Sequence, residues 1–313
     1  MTDLKRYLTE EVAVDHADGI LTRREAMHRL GLLGLSAAAA SSLLAACSKE
    51  PAAPAPATST TGAPTAGTAT PSAATSAAAA PAPGTPGLPT EAITLPGPEG
   101  RKLSATWAAA RAPRGAVLVL HENKGLTEHF RALPGRFAAA GYSALALDLL
   151  SEEGGTASLG DPGNATAALG KVAPERFVAD MRAALDELAR RAPGRKLGAI
   201  GFCFGGGMTW RLVASKDPRL AAAAPFYGPL PEPADFTGSK AAVLGVYAEK
   251  DARVNASRDT AKAALEKAGL VHDIATFANA DHAFFNDTGP RYEPVAAAEA
   301  WSKVLAWFGK HLG

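Results

Sequence analysis

The sequence has few cysteines and no excess of charge of either sign. Its 313 residues include two cysteines, Cys47 and Cys203, and carry a formal net charge of +1. No Cys-x-x-Cys pair is present, which argues against a thiol–disulfide redox role. The near-neutral balance, without a basic run that contains interleaved aromatic residues, gives no reason to expect a nucleic-acid partner.

Charged residues are absent from residues 51–90, which consist almost entirely of Ala, Pro, Thr, Ser and Gly. Such a segment cannot bury enough apolar surface to offset its chain entropy. We therefore expect residues 48–90 to be a disordered linker. The remaining residues, 91–313, have a length that suits one α/β domain, and they contain no internal repeat.

The N-terminal region lacks a long hydrophobic run. Its uncharged stretch, residues 30–46, is rich in Ala, Ser and Gly and is short for a membrane span of about 20 residues. The pair Arg23-Arg24 resembles a Tat export signal, and Leu-Ala-Ala before Cys47 resembles a bacterial lipobox. We therefore predict that residues 1–47 form an export signal that is cleaved before a lipidated Cys47. The expected product is a periplasmic lipoprotein held at the membrane by its lipid anchor only; a transmembrane anchor or a buried helix is the alternative.

Apolar runs alternate with helical patterns through the rest of the chain. The predicted strands cover residues 115–120, 142–147, 196–200, 220–226, 242–247 and 271–277. The predicted helices cover residues 130–140, 174–191, 206–215, 256–268 and 295–311. This alternation indicates the α/β class, with a mostly parallel sheet covered by helices on both faces. In such sheets the ligand site lies beyond the carboxyl ends of the strands.

A cysteine follows one of these strands, in Gly201-Phe202-Cys203-Phe204-Gly205-Gly206. The pattern is that of the nucleophile elbow of α/β-hydrolases, Gly-x-Ser-x-Gly, with cysteine in the serine position. Glycines are needed there because side chains two residues either side would collide with the neighbouring strand and helix. Cys203 also opens a helix, whose N-terminus favours a thiolate. We predict Cys203 as a nucleophile; a small buried core residue is the alternative.

A thiol nucleophile needs a base, and in this architecture the chain order is nucleophile, acid, histidine. Asp251 and His282 follow two later strands in that order, so they are the predicted acid and base. Asp281 competes as the acid, although side chains of adjacent residues in an extended chain diverge. The rival histidines are His121, His129 and His272.

Another carboxylate, Glu122, follows the strand at residues 115–120. A zinc motif His-Glu-x-x-His is excluded because Gly125 stands at the second histidine position, and we expect neither metal nor cofactor. The backbone N–H groups of Asn123 and Phe204 are predicted to form an oxyanion hole. For Glu122 itself, a solvated loop charge is the alternative.

From about residue 118 to its C-terminus the chain resembles the dienelactone hydrolase family (carboxymethylenebutenolidases). The resemblance rests on His121-Glu122-Asn123 with Gly125-Leu126, Ala139-Ala140-Gly141-Tyr142 with Asp148-Leu149, residues 200–206, and Asp281-His282-Ala283-Phe284. It implies an α/β-hydrolase fold and hydrolysis of a lactone or ester by a Cys-His-Asp triad. It also implies that Glu122 contacts the resting thiol and helps form the thiolate when substrate binds.

The chain departs from the family pattern at two positions. Leu147 stands where the family usually has proline, and Asn286 replaces the arginine that holds the substrate carboxylate in dienelactone-cleaving members. Arg291 is near in sequence but not equivalent, and Tyr227, Asn286 and Arg291 are the predicted substrate-binding residues. We therefore expect a monomer that cleaves a small ester or lactone through a thioester. A non-catalytic lipoprotein that binds a small molecule is the alternative.

Overall fold

A computed structural model describes residues 2–47 and 87–313. The predicted linker, residues 48–90, lies outside the described residues except for its last four, which run without regular structure into the first strand. The predicted α/β-hydrolase fold is confirmed.

A single eight-stranded sheet organises the described part of the chain. Its strands are β1 (Glu91–Pro96), β2 (Lys102–Ala108), β3 (Gly115–Leu120), β4 (Tyr142–Leu147), β5 (Leu197–Phe202), β6 (Leu220–Phe226), β7 (Ala242–Ala248) and β8 (His272–Phe277). Their order is β1-β2-β4-β3-β5-β6-β7-β8, and only the pairings of β2 with β1 and β4 are antiparallel. Every residue of β3, β4, β5 and β7 is buried, as expected for strands covered on both faces.

Helices cover both faces of the sheet. They are α1 (Asp3–Ala17), α2 (Arg23–Leu32), α3 (Ala37–Cys47), α4 (Glu128–Ala139), α5 (Pro162–Leu169), α6 (Pro174–Arg191), α7 (Phe204–Ala214), α8 (Ala252–Asn255), α9 (Arg258–Lys267) and α10 (Pro294–His311). Helices α4 and α10 meet through Phe137 and Trp301, whose ring centroids are 4.7 Å apart. Helices α6 and α7 meet through Phe177 and Phe204 at 5.5 Å.

Several predicted elements have the observed bounds, namely β3, β4, β6 and α6. The predicted helix over residues 256–268 corresponds to α9, whereas the short helix α8 before it was not predicted. The helix after the elbow begins at Phe204 rather than at residue 206. Strands β1 and β2 were not predicted. Strand β1 is an edge strand with mostly exposed residues, so it lacks the apolar run that identifies a buried strand.

The N-terminal residues form a helical unit, α1–α3, that packs on the hydrolase domain. Leu4, Tyr7, Leu8 and Val12 of α1 are buried, and α2 contacts α5. The apolar stretch 30–46 is divided, because Gly34 has a left-handed φ of 83° between α2 and α3. Among the described residues, no helix has the length and apolarity that a membrane crossing requires. The export signal and lipid anchor stay predictions.

Candidate active site

The thiol of Cys203 lies at a strained turn between β5 and α7. Its φ of 56° and ψ of −118° are unusual for a residue with a side chain. A Cβ on Gly201 would come within 2.1 Å of the Gly205 carbonyl oxygen, and one on Gly205 within 2.4 Å of the Leu120 carbonyl oxygen. Glycine is therefore required at both positions, as the sequence predicted, and the close packing fixes Cys203 at the carboxyl edge of the sheet.

The structure brings His282 and Asp251 together beside this thiol. Asp251 caps the N-terminus of α8, and its Oδ2 lies 2.6 Å from Nδ1 of His282. His282 follows β8, and a ring nitrogen lies within 4.8 Å of the Cys203 sulfur. Both Cys203 and His282 are only 2% exposed. The three side chains thus have the arrangement of a nucleophile, a base and the carboxylate that orients the base.

The rival residues have other partners. Asp281 accepts a hydrogen bond from the backbone N–H of His282 at 2.7 Å, whereas Asp251 holds the ring. His121 bonds to the backbone of Glu122 and Leu149. The ring of His129 bonds to Asp287, and that of His272 to the Leu270 carbonyl. This geometry favours Asp251 and His282 over each alternative.

Charges around the pair control its protonation. Burial raises the pKa of the Cys203 thiol, and the carboxylate of Glu11 raises it further. Burial lowers the pKa of His282, but the carboxylates of Glu11 and Asp251 outweigh it and hold that pKa well above its ordinary value. Burial alone would raise the pKa of Asp251, yet the charge of His282 brings it below its ordinary value. While Glu11 lies beside the pair, these shifts favour a neutral thiol and a protonated imidazole.

Glu122 is buried and held by two side chains. Tyr227 donates its hydroxyl to Oε1 at 3.4 Å, and the Asn286 amide donates to Oε2 at 2.9 Å. The Glu122 charge contributes to the raised pKa of Cys203. Two of the residues predicted to bind substrate, Tyr227 and Asn286, thus hold Glu122 in this structure. Asn286, which stands at the position of the family's arginine, is thus a hydrogen-bond donor to Glu122.

The two predicted oxyanion donors lie at adjoining backbone segments. Phe204 is the first residue of α7, and Asn123 follows β3; both are buried. The start of α7 packs directly on the end of β3, because a Cβ on Gly205 would also contact the His121 carbonyl at 2.6 Å. Thr166 donates to the Asn123 carbonyl at 3.0 Å and fixes that loop. The positive end of the α7 dipole adds to an environment suited to an oxyanion.

The N-terminal helix contributes residues to the site that the sequence analysis missed. The hydroxyl of Tyr7 lies 3.2 Å from the Cys203 sulfur and 3.5 Å from Nε2 of His282. Oε1 of Glu11 lies 3.3 Å from the same Nε2. Arg253, two residues after Asp251, pairs with Glu11 and stacks on the Tyr7 ring. The sequence did contain one signal for this contact. The apolar residues of α1 have the spacing of an amphipathic helix, which needs a surface to pack against.

Arg291, the third residue predicted to bind substrate, pairs with α1 and the residue after it. Its guanidinium contacts Asp15 and Asp18, each at 2.8 Å. On the opposite end of the helix, Asp3 pairs with Arg211 of α7. Cys47, the predicted lipidation residue, is the partly buried last residue of α3.

One group of side chains has the donor types of a transition-metal site. Glu11, Cys203 and His282 bring a carboxylate, a thiol and an imidazole within 4.8 Å of one another. The same atoms are engaged by Tyr7 and Arg253 through hydrogen bonds and an ion pair. Hydrogen bonds and ion pairs thus hold these three side chains together in the described part of the chain.

A neighbouring carboxylate, Asp287, anchors the loop that carries Asn286. It bonds to His129 at 2.7 Å and to Arg136 at 2.6 Å. The hydrogen bond from His129 is the main cause that lowers the pKa of Asp287 from 3.8 to about 2. Because the folded pKa is depressed, this carboxylate stabilises the fold above pH 3.8 and loses that effect as the pH falls toward 2.

Asp287→Asn should therefore lower the free energy of unfolding at pH 7 by about 1 kcal/mol, since partial solvent screening limits the interaction. The difference from the parent should shrink as the pH falls from about 4 to about 2. Urea denaturation across this range measures both. Asp273→Asn, which removes an exposed partner of Lys303, is the control and should have little effect. A constant difference at all pH values would contradict the prediction.

Comparison with known proteins places this geometry in a family. The model of the dienelactone hydrolase family matches residues 103–312. A protein of Salmonella typhi named "Putative carboxymethylenebutenolidase" is 32% identical over 243 residues, which cover 72% of this chain and 90% of the relative. A protein of the same name from Saccharolobus solfataricus is 28% identical, and the match covers 94% of that relative.

Solved structures give the same result. A crystal structure described as "Putative Dienelactone Hydrolase" from Klebsiella pneumoniae is 31% identical, with a TM-score of 0.63 and coverage of 71% of this chain and 98% of that one. The dienelactone hydrolase-like promiscuous phosphotriesterase P91, from metagenomic libraries, is 24% identical with a TM-score of 0.57, and it supports the fold alone. The match to the family over most of the folded domain, together with this site, shows that the chain belongs to the dienelactone hydrolase family.

Proposed function

We propose that the protein is an exported cysteine hydrolase that cleaves a small ester or lactone. The observation that carries the proposal is the alignment of Asp251, His282 and Cys203, with the thiol on a strained turn at the start of α7. Membership of a hydrolase family supports the reaction class. The position of the site at the carboxyl edge of the sheet is where such folds bind small molecules.

The proposed reaction has two halves. The Cys203 sulfur attacks the substrate carbonyl carbon while Nε2 of His282 takes the thiol proton, and Asp251 stabilises the imidazolium. Backbone N–H groups of Phe204 and Asn123 hold the developing oxyanion. Collapse breaks the C–O bond, His282 returns its proton to the leaving alkoxide, and a thioester remains. A water then gives its proton to His282 and attacks the thioester, which releases the acid and restores the thiol.

Glu122 is the proposed guard of the resting thiol. Its negative charge favours the protonated form of Cys203, which is less reactive toward oxidants. Such protection suits an exported protein in which Cys203 would be the one free thiol once Cys47 carries its lipid. A substrate that displaces the amide of Asn286 or the hydroxyl of Tyr227 would free Glu122 to move toward the thiol.

The proposed location is the periplasm, with a lipid on Cys47 as the only membrane attachment. The support is the order of twin arginine, uncharged stretch and lipobox cysteine in the sequence. Arg23 and Arg24 are exposed at the first turn of α2, where a receptor can contact them. We further propose that the protein is a monomer that acts on small molecules and has no nucleic-acid partner.

The substrate need not be the family's named one, because Asn286 stands where an arginine would hold a carboxylate. Arg253 and Arg291 still place two guanidinium groups near the site, and the charge of Arg253 acts on Cys203. We therefore expect esters and lactones that carry a carboxylate to have a lower KM than matched neutral ones.

A panel of neutral and carboxylate-bearing aryl esters and lactones tests the function, with acid quenching and intact-mass analysis of the protein. We expect an added acyl mass on Cys203 that hydroxylamine removes. Turnover that persists after complete alkylation of Cys203 would contradict the proposal. Absence of turnover in the chain cut within residues 48–86, with ligand binding retained, would favour a non-catalytic binding lipoprotein.

A further inference from the structure

The first helix presents acidic residues to arginines of the hydrolase domain. Three carboxylates spaced along α1 each pair with an arginine from a different element: Asp3 with Arg211 of α7, Glu11 with Arg253 of α8, and Asp15 with Arg291 after β8. Asp18, just beyond α1, also pairs with Arg291. This charge complementarity runs along α1 from Asp3 to Asp15, and its Glu11 pair lies at the active site.

Apolar contacts hold the same helix face. Leu4, Tyr7, Leu8 and Val12 are buried and belong to one hydrophobic cluster with the domain core. A cavity of about 430 Å³ lies between α1 and the domain, lined by Tyr7, Arg211, Leu230 and Arg253 among others. The interface thus has complementary charges, but it leaves a cavity, whereas the interior of a domain is closely packed.

Side chains of helix α1 contact both reactive atoms of the site, the sulfur of Cys203 and Nε2 of His282. A carbonyl carbon under attack must lie about 3–3.5 Å from the sulfur. The Tyr7 hydroxyl already lies at 3.2 Å, and Cys203 is only 2% exposed. Nε2 of His282, the atom that must take the thiol proton, faces Glu11 and Tyr7. An ester cannot reach the thiol in this state.

We propose that residues 2–46 are an inhibitory segment that blocks the active site of the uncut chain and leaves after cleavage before Cys47. This inference rests on the proposed hydrolase function. The step is hydrolysis of the peptide bond between Ala46 and Cys47 by a peptidase, which consumes one water and leaves a carboxylate on the segment and a new amino terminus on Cys47. The predicted export signal thus has a second role as an intramolecular inhibitor.

Continuity of the chain explains why cleavage releases the site. While residues 48–86 connect the segment to the domain, docking is intramolecular and does not depend on protein concentration. After cleavage the same contacts form a bimolecular complex, which dissociates on dilution. The charge of Glu11 also keeps His282 protonated and the thiol neutral in the docked state, which adds to the steric block.

The first test uses the full-length chain with Tyr7→Ala and Glu11→Gln combined. Carboxamidomethylation of Cys203 by iodoacetamide, followed by peptide mass spectrometry, reports access to the thiol independently of catalysis; Cys47 is the internal reference. We expect the rate at Cys203 and the turnover of an activated aryl ester to rise at least about tenfold. Glu10→Gln, on the neighbouring and partly exposed residue of α1, is the matched control and should match the parent.

A second arm keeps the wild-type residues and introduces a site-specific protease sequence within residues 48–86. Cleavage followed by dilution should raise the labelling rate of Cys203 and the ester turnover, as the double substitution does. Size-exclusion chromatography should show that the segment has dissociated from the domain. Equal labelling of Cys203 in intact, cut and variant chains would overturn the inference. So would a segment that stays bound at every dilution and keeps Cys203 blocked.

The two readouts separate this inference from the proposed function. Increased labelling without any ester turnover would support the inhibitory segment and contradict the hydrolase proposal. Turnover that is equal in the intact and cut chains would support the hydrolase and contradict the segment's role. A fall in thermal stability of the double variant without increased labelling would mean that α1 is only a structural part of the domain.

Discussion

Cys203→Ala should abolish turnover of an activated aryl ester, with a loss of at least about a thousandfold in kcat/KM. The thiol is the only side chain at the elbow that can form the acyl intermediate, and alanine offers no nucleophile in its place. The variant should fold normally, because the substitution removes one sulfur from a small buried position. Initial rates should be measured on the intact chain and on the chain cut within residues 48–86, with circular dichroism as a check on folding.

Cys47→Ser is the matched control, since Cys47 is the other cysteine of the chain and lies at the end of α3. Its rates should equal those of the parent. Full activity of the Cys203→Ala variant would remove the nucleophile from the mechanism and with it the thioester.

Asp251→Asn should lower kcat by about a thousandfold or more, because an amide cannot hold the His282 tautomer that accepts a proton at Nε2. The 2.6 Å contact between Asp251 and Nδ1 of His282 is the structural basis. Stopped assays of ester turnover and of acyl-enzyme formation would show both half-reactions slowed, since His282 serves in each.

Asp281→Asn distinguishes the two candidate acids, because Asp281 bonds to the backbone N–H of His282 and not to its ring. Its kcat should fall by less than about tenfold. If the Asp281 variant were the more impaired of the two, the assignment of Asp251 as the orienting acid would be wrong.

The central part of the fold could be predicted because its strands are buried on both faces. Such strands appear as short apolar runs, and β3, β4 and β6 have the predicted bounds. Strand β1, at the edge of the sheet, and its neighbour β2 gave no such signal. Helix α8 was missed because its four residues are too few to show a helical period in the sequence.

The elbow and the order of acid and histidine could be predicted because parallel strands end at one edge of a sheet. The contacts of Tyr7 and Glu11 could not, since they join residues 196 to 275 positions apart in the chain. The exchange of the family's arginine for Asn286 was visible in the sequence, but its bond to Glu122 depends on the folded loop.

The 3.2 Å contact between the Tyr7 hydroxyl and the Cys203 sulfur has a consequence for detecting this protein in cells. Activity-based probes that carry a thiol-reactive group would tag only molecules whose first helix has left the site. The tagged fraction, compared with total protein on an immunoblot, would then count how many copies have matured. Recombinant full-length material would score as inert in such a screen even if every molecule were correctly folded.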